Sequence, residues 1–223
     1  MSLLSLAVTL GGFLLGVALN RRLRLRLLNP TLIGIAVVML YLELTRRPYV
    51  AYAEDTRPIS LLLGPAVVSL AVPLYRQRAL LRRHAPWVLL GVACGTVTAM
   101  GIGIAGAALL RLAPEWRLAL ATESATSPIA LAVAEQLGGS GGLSAVIAIL
   151  TGVLGSIIGP GWLTRLGVRH PLARGLAMGT ASHGIGTARI LEEGEVAGAA
   201  AGLGMGLGGL AVALTVPALW HLL

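Results

Sequence analysis

The stretch PWVLLGVACGTVTAMGIGIAGAALL, residues Pro86–Leu110, carries no charged side chain. A hydrocarbon core about 30 Å thick needs roughly 20 apolar residues of helix to cross it, so this one run is long enough to span a bilayer. Two further uncharged runs, Ser2–Asn20 and Gln136–Thr164, meet the same requirement. The chain of 223 residues has a mean hydropathy of +0.85, a hydrophobic share of 56% and a charged share of only 12%, against about 25% charged in globular domains. A soluble protein with such buried helices would need polar outer helices, and the sequence has none.

The expected fold is therefore an all-α membrane protein, a polytopic helical bundle of about seven or eight segments. They fall near 2–20, 31–45, 58–75, 86–110, 118–137, 143–164, 174–190 and 196–221. All 17 basic residues are arginine, the net charge is +8 and the pI is near 11.2. These arginines sit in short loops between apolar runs, which is the placement membrane orientation requires; nucleic acid is not an expected partner, and the lipid bilayer is. A lone Cys94 excludes a disulfide framework and a cysteine-based metal site. Met1–Asn20 lacks a basic region ahead of its apolar stretch, so it reads as a first helix with its N-terminus outside rather than as a signal peptide.

Basic clusters at Arg21, Arg22, Arg24 and Arg26, at Arg76, Arg78, Arg82 and Arg83, and at Arg165, Arg169 and Arg174 should face the cytoplasm. The third agrees with the first two only if a re-entrant or broken segment at 118–137 changes the parity of crossings. An internal echo points the same way. Gly64–Val72 and Ser127–Glu135 each place a small residue, a proline and a small-and-branched apolar run in order, and proline is well tolerated in a first helical turn. Paired interruptions of this kind mark repeats and a midplane site in transporters. The expectation is one transmembrane domain over 1–223 with inverted repeats in halves near 1–84 and 85–223, although chance similarity between alanine- and leucine-rich runs would produce the same echo.

Three clusters could carry chemistry. In Glu123-Ser124-Ala125-Thr126-Ser127-Pro128, hydroxyls and a carboxylate precede a helix start, with Ser127 the expected N-cap; free N–H groups and the positive dipole end of such a helix suit an anion. Taken alone, the cluster reads as readily as an ordinary capped loop. The second is Gly179–Arg189. Gly184 and Gly186 disfavour a continuous helix, and an unwound stretch at membrane depth is tolerated only beside a polar cavity. Thr180, Ser182, His183, Gly184, Gly186 and Thr187 would line it, His183 titrates near neutral pH, and Arg189 could hold a carboxylate by two parallel hydrogen bonds. Ionisable groups in membrane segments are functional candidates by default; close packing by small residues is the plainer alternative. The third, Glu192-Glu193-Gly194-Glu195, reads as a solvated loop opening the last helix. His183, Glu123 and Glu135 are the candidates for coupling, although Glu135, like Glu43, could equally be interfacial.

No HExxH zinc motif, glycine-lysine phosphate loop or dinucleotide fingerprint occurs, so neither an enzyme, a metal nor a cofactor is expected. Over nearly its full length the chain resembles the LrgB/CidB family of bacterial membrane proteins. The resemblance lies in Asn29-Pro30-Thr31-Leu32-Ile33, Leu63-Gly64-Pro65-Ala66, Ala71-Val72-Pro73-Leu74-Tyr75, Ser127-Pro128-Ile129-Ala130, Thr151-Gly152, Gly159-Pro160 and, above all, Arg174–Arg189. It departs at Glu123, where family members typically carry lysine, so anion affinity or substrate could differ here. The resemblance implies a multi-pass protein of the bacterial inner membrane with one of two roles. One is a carrier of small carboxylates such as glycolate, glycerate or pyruvate, as similar members that include a plant chloroplast relative are, with His183 a candidate for coupling it to protons. The other is an antiholin-like regulator of murein hydrolases and lysis, acting with a small LrgA/CidA-type partner. The residues favour the carrier, because assembling a lesion has no need of a proline-started broken helix facing a histidine and an arginine. A small carboxylate substrate, the LrgA/CidA-type protein and further copies of the chain are the candidate partners.

Overall fold

The computed structural model describes residues 3–23, 29–69 and 71–220, and every regular element among them is helical. Arg24 and Arg26 of the first basic cluster, and Leu70 of the proline echo, lie outside the described residues. By contact the chain divides into two units, Met1–Ser69 and Leu70–Leu223.

In the first unit, α1 (Leu3–Leu23) packs against α2 (Pro30–Thr45). Glycines let the two backbones approach: a Cβ on Gly16 would lie 2.7 Å from the Pro30 Cα, and one on Gly12 would lie 3.0 Å from the Val37 Cβ. The Asn29 side chain caps α2 by accepting from the Thr31 N–H at 2.8 Å, and Arg46 ends it in the left-handed region at φ 50. Three short helices follow, α3 (Tyr49–Asp55), α4 (Arg57–Leu61) and α5 (Leu63–Ser69). The buried Asp55 carboxylate accepts from Arg47 Nη2 at 2.6 Å and from Ser5 Oγ at 2.9 Å.

The second unit begins with α6 (Ala71–Arg76) and α7 (Arg78–Arg83). Among the described residues, the apolar segment expected at 58–75 falls into the short helices α4, α5 and α6, with Pro58, Pro65 and Pro73 each withholding a backbone donor. Beyond it run α8 (Ala85–Leu109), α9 (Pro114–Ala121), α10 (Ser127–Gln136), α11 (Gly141–Arg165), α12 (Pro171–Leu191) and α13 (Glu195–Leu219). Among the described residues, α1, α8, α11 and α13 are long and apolar enough to cross a membrane.

The segment expected at 118–137 folds as a re-entrant hairpin. Pro128 cannot continue a helix begun at Pro114, because it lacks an N–H and would press on the carbonyl four residues before it. Residues 122–126 form the tip, and α10 returns toward the level at which α9 began. Leu118 on α9 contacts Gly139 just beyond α10, and a Cβ on Gly141 would lie 2.8 Å from Glu135 Cγ, so the base of this hairpin sits at the start of α11. Leu118, Ala121, Ala125, Val133 and Ala134 bury against Met100 of α8 and Val212 and Val216 of α13.

α12 is a second hairpin, reversed at one residue. His183 has φ 36 and ψ −129, far from helical values. A straight helix would separate Arg174 from Glu193 by about 28 Å at 1.5 Å per residue; instead Arg174 Nε donates to Glu193 Oε2 at 2.7 Å. A Cβ on Gly186 would lie 2.7 Å from the Met178 carbonyl oxygen eight residues earlier, which only a fold-back permits. The first arm, 171–182, lies along α13, with Gly175 against the Ala197 carbonyl and Gly179 against that of Ala201. The expected break is therefore present, but it is a sharp reversal at His183 rather than an unwound stretch, and Gly184 and Gly186 lie within the helical second arm, 184–191.

Candidate functional site

α11 relates the two hairpins. The 114–136 hairpin has its base at the Gly141 end of α11, whereas the 171–191 hairpin has its base at the other end, where Arg174 donates to the Pro160 carbonyl, Thr164 Oγ1 and the Val168 carbonyl at 3.1, 3.1 and 2.9 Å. The hairpins therefore enter from opposite ends of one helix, and both tips reach its middle. Thr151 Oγ1 donates to Glu123 Oε2 at 3.3 Å. His183 Nε2 lies 2.8 Å from the Ala148 carbonyl; a carbonyl only accepts, so Nε2 carries a proton. Ala148 and Thr151 lie roughly 10 and 15 Å from the Gly141 end of α11.

The tips also meet α13 near its centre. Ile129, in the first turn of α10, packs on Gly209, and Thr180, three residues before the reversal, lies against Gly204 and Gly208. Along the first arm, Ser182 and Met178 fill the surfaces of Gly155 and Gly159 on α11, and the His183 ring covers Gly152. The strained conformation of His183 costs of the order of 1–3 kcal/mol and is held by its bond to Ala148.

Several buried hydroxyls lack protein partners, and two of them, on Ser124 and Thr180, are at or beside the tips. The hydroxyls of Thr96, Ser124, Ser144, Thr180 and Thr187 are buried with no hydrogen bond. Such groups cost free energy unless a ligand or water satisfies them. Among the described residues, no arginine or histidine nitrogen lies within 4.0 Å of the Glu123 carboxylate. Two half-helices, α10 and the second arm of α12, begin at the tips, so both turn their positive ends toward the middle of α11.

A family model described as the LrgB-like family matches residues 9–222. The chain belongs to the LrgB-like family. It is 34% identical over 196 residues to an uncharacterized protein of Bacillus subtilis called YxaC, covering 88% of this chain and 85% of that one. It is 32% identical over 216 residues to an uncharacterized protein of Haemophilus influenzae, covering 97% and 94%. No solved structure matches.

In this LrgB-like chain the sequence-derived candidates separate by position. Glu123, Ser124, Thr126, Ser127, Pro128, Thr180, Ser182, His183 and Gly184 sit at the two tips. Gly186 and Thr187 follow one turn along, at the fold-back. Ser127 is not the N-cap: Thr126 holds that position in an extended conformation at φ −66, ψ 150, with no side-chain cap bond, and Ser127 is the first helical residue. Arg189 lies about 9 Å along the second arm from His183, with a side chain 40% exposed and bonded to Glu192 at 3.1 Å. Glu135 is exposed at the end of α10. The acidic turn is only partly solvated, because Glu193 receives both Nε and Nη2 of Arg174, the latter at 2.9 Å. The guanidinium holds the Glu193 carboxyl below its ordinary value of 4.5. Thr96, Thr151, the Ala148 carbonyl and the Arg174–Glu193 pair were not among the candidates. Thr96 and Thr151 carry one legible signal, a hydroxyl midway along an apolar run.

Proposed function

We propose that this LrgB-like protein is a multi-pass carrier of small monocarboxylates of the glycolate, glycerate or pyruvate type in the bacterial inner membrane. The observation that carries this reading is the convergence of two oppositely entering hairpins on the middle of α11, with unpaired hydroxyls at or beside their tips. Half-helix N-termini at bilayer depth receive anionic groups. The carboxylate would meet the free N–H groups of Ser127 and Ile129 at the start of α10, the Ser124 hydroxyl and the N-terminal end of the second arm at Gly184. Glu123 would repel that anion when ionised, so binding would bring a proton to Glu123 and couple the two fluxes, with His183 as the second coupling candidate. With the Arg76–Arg83 and Arg165–Arg174 regions facing the cytoplasm, the 114–136 hairpin enters from the periplasmic side and the 171–191 hairpin from the cytoplasmic side.

Uptake of labelled glycolate and pyruvate into proteoliposomes tests the reading. Uptake driven by an inward proton gradient and lost in Glu123→Leu is expected; a purified protein that neither binds nor moves either acid sinks it. That result would leave the regulator reading, with a LrgA/CidA-type partner, as the better account.

A further inference from the structure

α7 (Arg78–Arg83) divides into two faces. At about 3.6 residues per turn, Arg78, Arg82 and Arg83 fall within one arc of roughly 140°, and Leu80 and Leu81 lie opposite. Leu81 is buried, and with Leu80 it packs on the core that holds Val88 of α8 and Leu172 at the start of α12. The three arginines are exposed. Among the described residues, none of them lies within 4.0 Å of a carboxylate, whereas Arg76, just before them, is paired with Glu195 at 3.0 Å. Arg78 and Arg82 stand four residues apart on one helix, where like charges repel. Tyr75 and Trp87 flank α7 in sequence and are 66% and 69% exposed, and Arg78 Cζ lies 4.1 Å over the Tyr75 ring. Exposed aromatic rings beside a span sit at headgroup level, so α7 lies in the membrane surface where α8 enters. From Trp87 an exposed strip runs along α8 through Leu90, Cys94, Val97 and Gly101, on the side away from the buried Val88, Val92 and Thr96. The strip is about 21 Å long at 1.5 Å per residue, against roughly 15 Å for half a hydrocarbon core.

We infer that α7 and the outer strip of α8 form a binding site for an anionic phospholipid, with the headgroup phosphate on Arg78, Arg82 and Arg83 and an acyl chain along Trp87–Gly101. A phosphodiester brings one negative charge and oxygens that only accept, which is what guanidinium groups recognise. Basic segments beside a span draw anionic lipid for the same reason. A zwitterionic headgroup brings its own cation to an arc that is already wholly positive. An acidic peptide would match the arc but not the apolar strip that continues from it. Because α7 packs on Leu172, an occupied site braces the start of the α12 hairpin. The site does not depend on what the protein carries.

Thermal unfolding of the delipidated full chain in a neutral detergent tests this without transport. Phosphatidylglycerol titrated at constant ionic strength should raise the melting temperature saturably. The expected rise is about 3–6 °C at tenfold over the half-saturating concentration. Phosphatidylcholine, and glycerol 3-phosphate as the headgroup without its chains, should not reproduce it. Arg78→Gln, Arg82→Gln and Arg83→Gln combined should abolish the response while the chain stays folded, because all three side chains are exposed. Arg111→Gln, at the far end of α8, should leave it intact. An equal rise with phosphatidylcholine, no rise with phosphatidylglycerol, or a rise that persists in the triple variant overturns the site. A rise that Arg111→Gln also removes overturns it too, since the effect is then one of overall charge. A full response to glycerol 3-phosphate makes the arc a site for free phosphate esters and rejects the lipid.

Discussion

Arg174 donates two hydrogen bonds, of 2.7 and 2.9 Å, to Glu193, 19 residues later in sequence, across the base of the α12 hairpin. The guanidinium spends its other donors on Thr164, Val168 and Pro160 at the end of α11, so one side chain joins both arms of the hairpin to the helix against which its tip rests. Arg174 is nearly buried but Glu193 is 29% exposed, so removing the arginine costs less than the roughly 3–5 kcal/mol of a fully buried pair, yet it removes all five hydrogen bonds of the guanidinium. Arg174→Ala should therefore lower the thermal midpoint in detergent by more than any arginine substitution in the exposed 76–83 region. Arg174→Lys should recover only part, because an ammonium group cannot reproduce the planar two-bond fork. A midpoint unchanged in Arg174→Ala would refute the clamp.

The same pair fixes the direction of an acid response. Glu193 has its pKa depressed by Arg174, so its contribution is complete above the ordinary carboxylate value of 4.5 and is lost as pH falls through the lower folded value. Stability should be flat in this respect from neutral pH down to about 4.5 and should decline from there through the lower folded value, below which the contribution is gone. Glu193→Gln should be less stable at neutral pH and lack that acid limb. Unfolding midpoints from pH 7 downward decide it, and parallel curves for the two proteins would exclude the linkage.

The α9–α10 hairpin predicts a covalent test. Leu118 and Gly139 are in contact, so Leu118→Cys with Gly139→Cys, in a Cys94→Ser background, should form a disulfide under mild oxidation. A segment crossing the membrane once would hold these positions far apart and yield none.

Glycine substitutions along α11 should be graded by what faces them. Gly155 lies against Ser182 and Gly159 against Met178, whereas Gly101 on α8 has nothing within 4 Å. Gly155→Leu should destabilise by more than about 1–3 kcal/mol, the usual range for overpacking, because it drives the whole arm away. Gly101→Leu should be near neutral. Equal losses at both sites would show that helix propensity, not the hairpin contact, sets the cost.

The sequence made the membrane class, the break near Ser127–Pro128 and the departure from helix near His183 legible, because hydropathy and proline act locally. That the second break is a complete reversal was not legible. Gly184 and Gly186 signal freedom of the backbone but not its direction, and the direction is decided by contacts between distant residues such as Gly186 with Met178 and Arg174 with Glu193. Arg174 read as a loop charge because it sits three residues after Pro171. Only the fold-back brings a carboxylate to it. Arg189 was legible as an unusual charge, but it stands six residues beyond His183 on the helical second arm, and its guanidinium donates to Glu192 in the turn that follows.

The glycine row at 152, 155 and 159 has a mechanical consequence. Where leucines interlock, each helix must climb over its neighbour's side chains to shift by a turn. Here side chains of the α12 arm, Met178, Ser182 and His183, are seated in the gaps the glycines leave, so any shift of the arm along α11 would have to lift these three knobs and break two polar catches, the His183 bond to Ala148 and the Arg174 fork at Pro160.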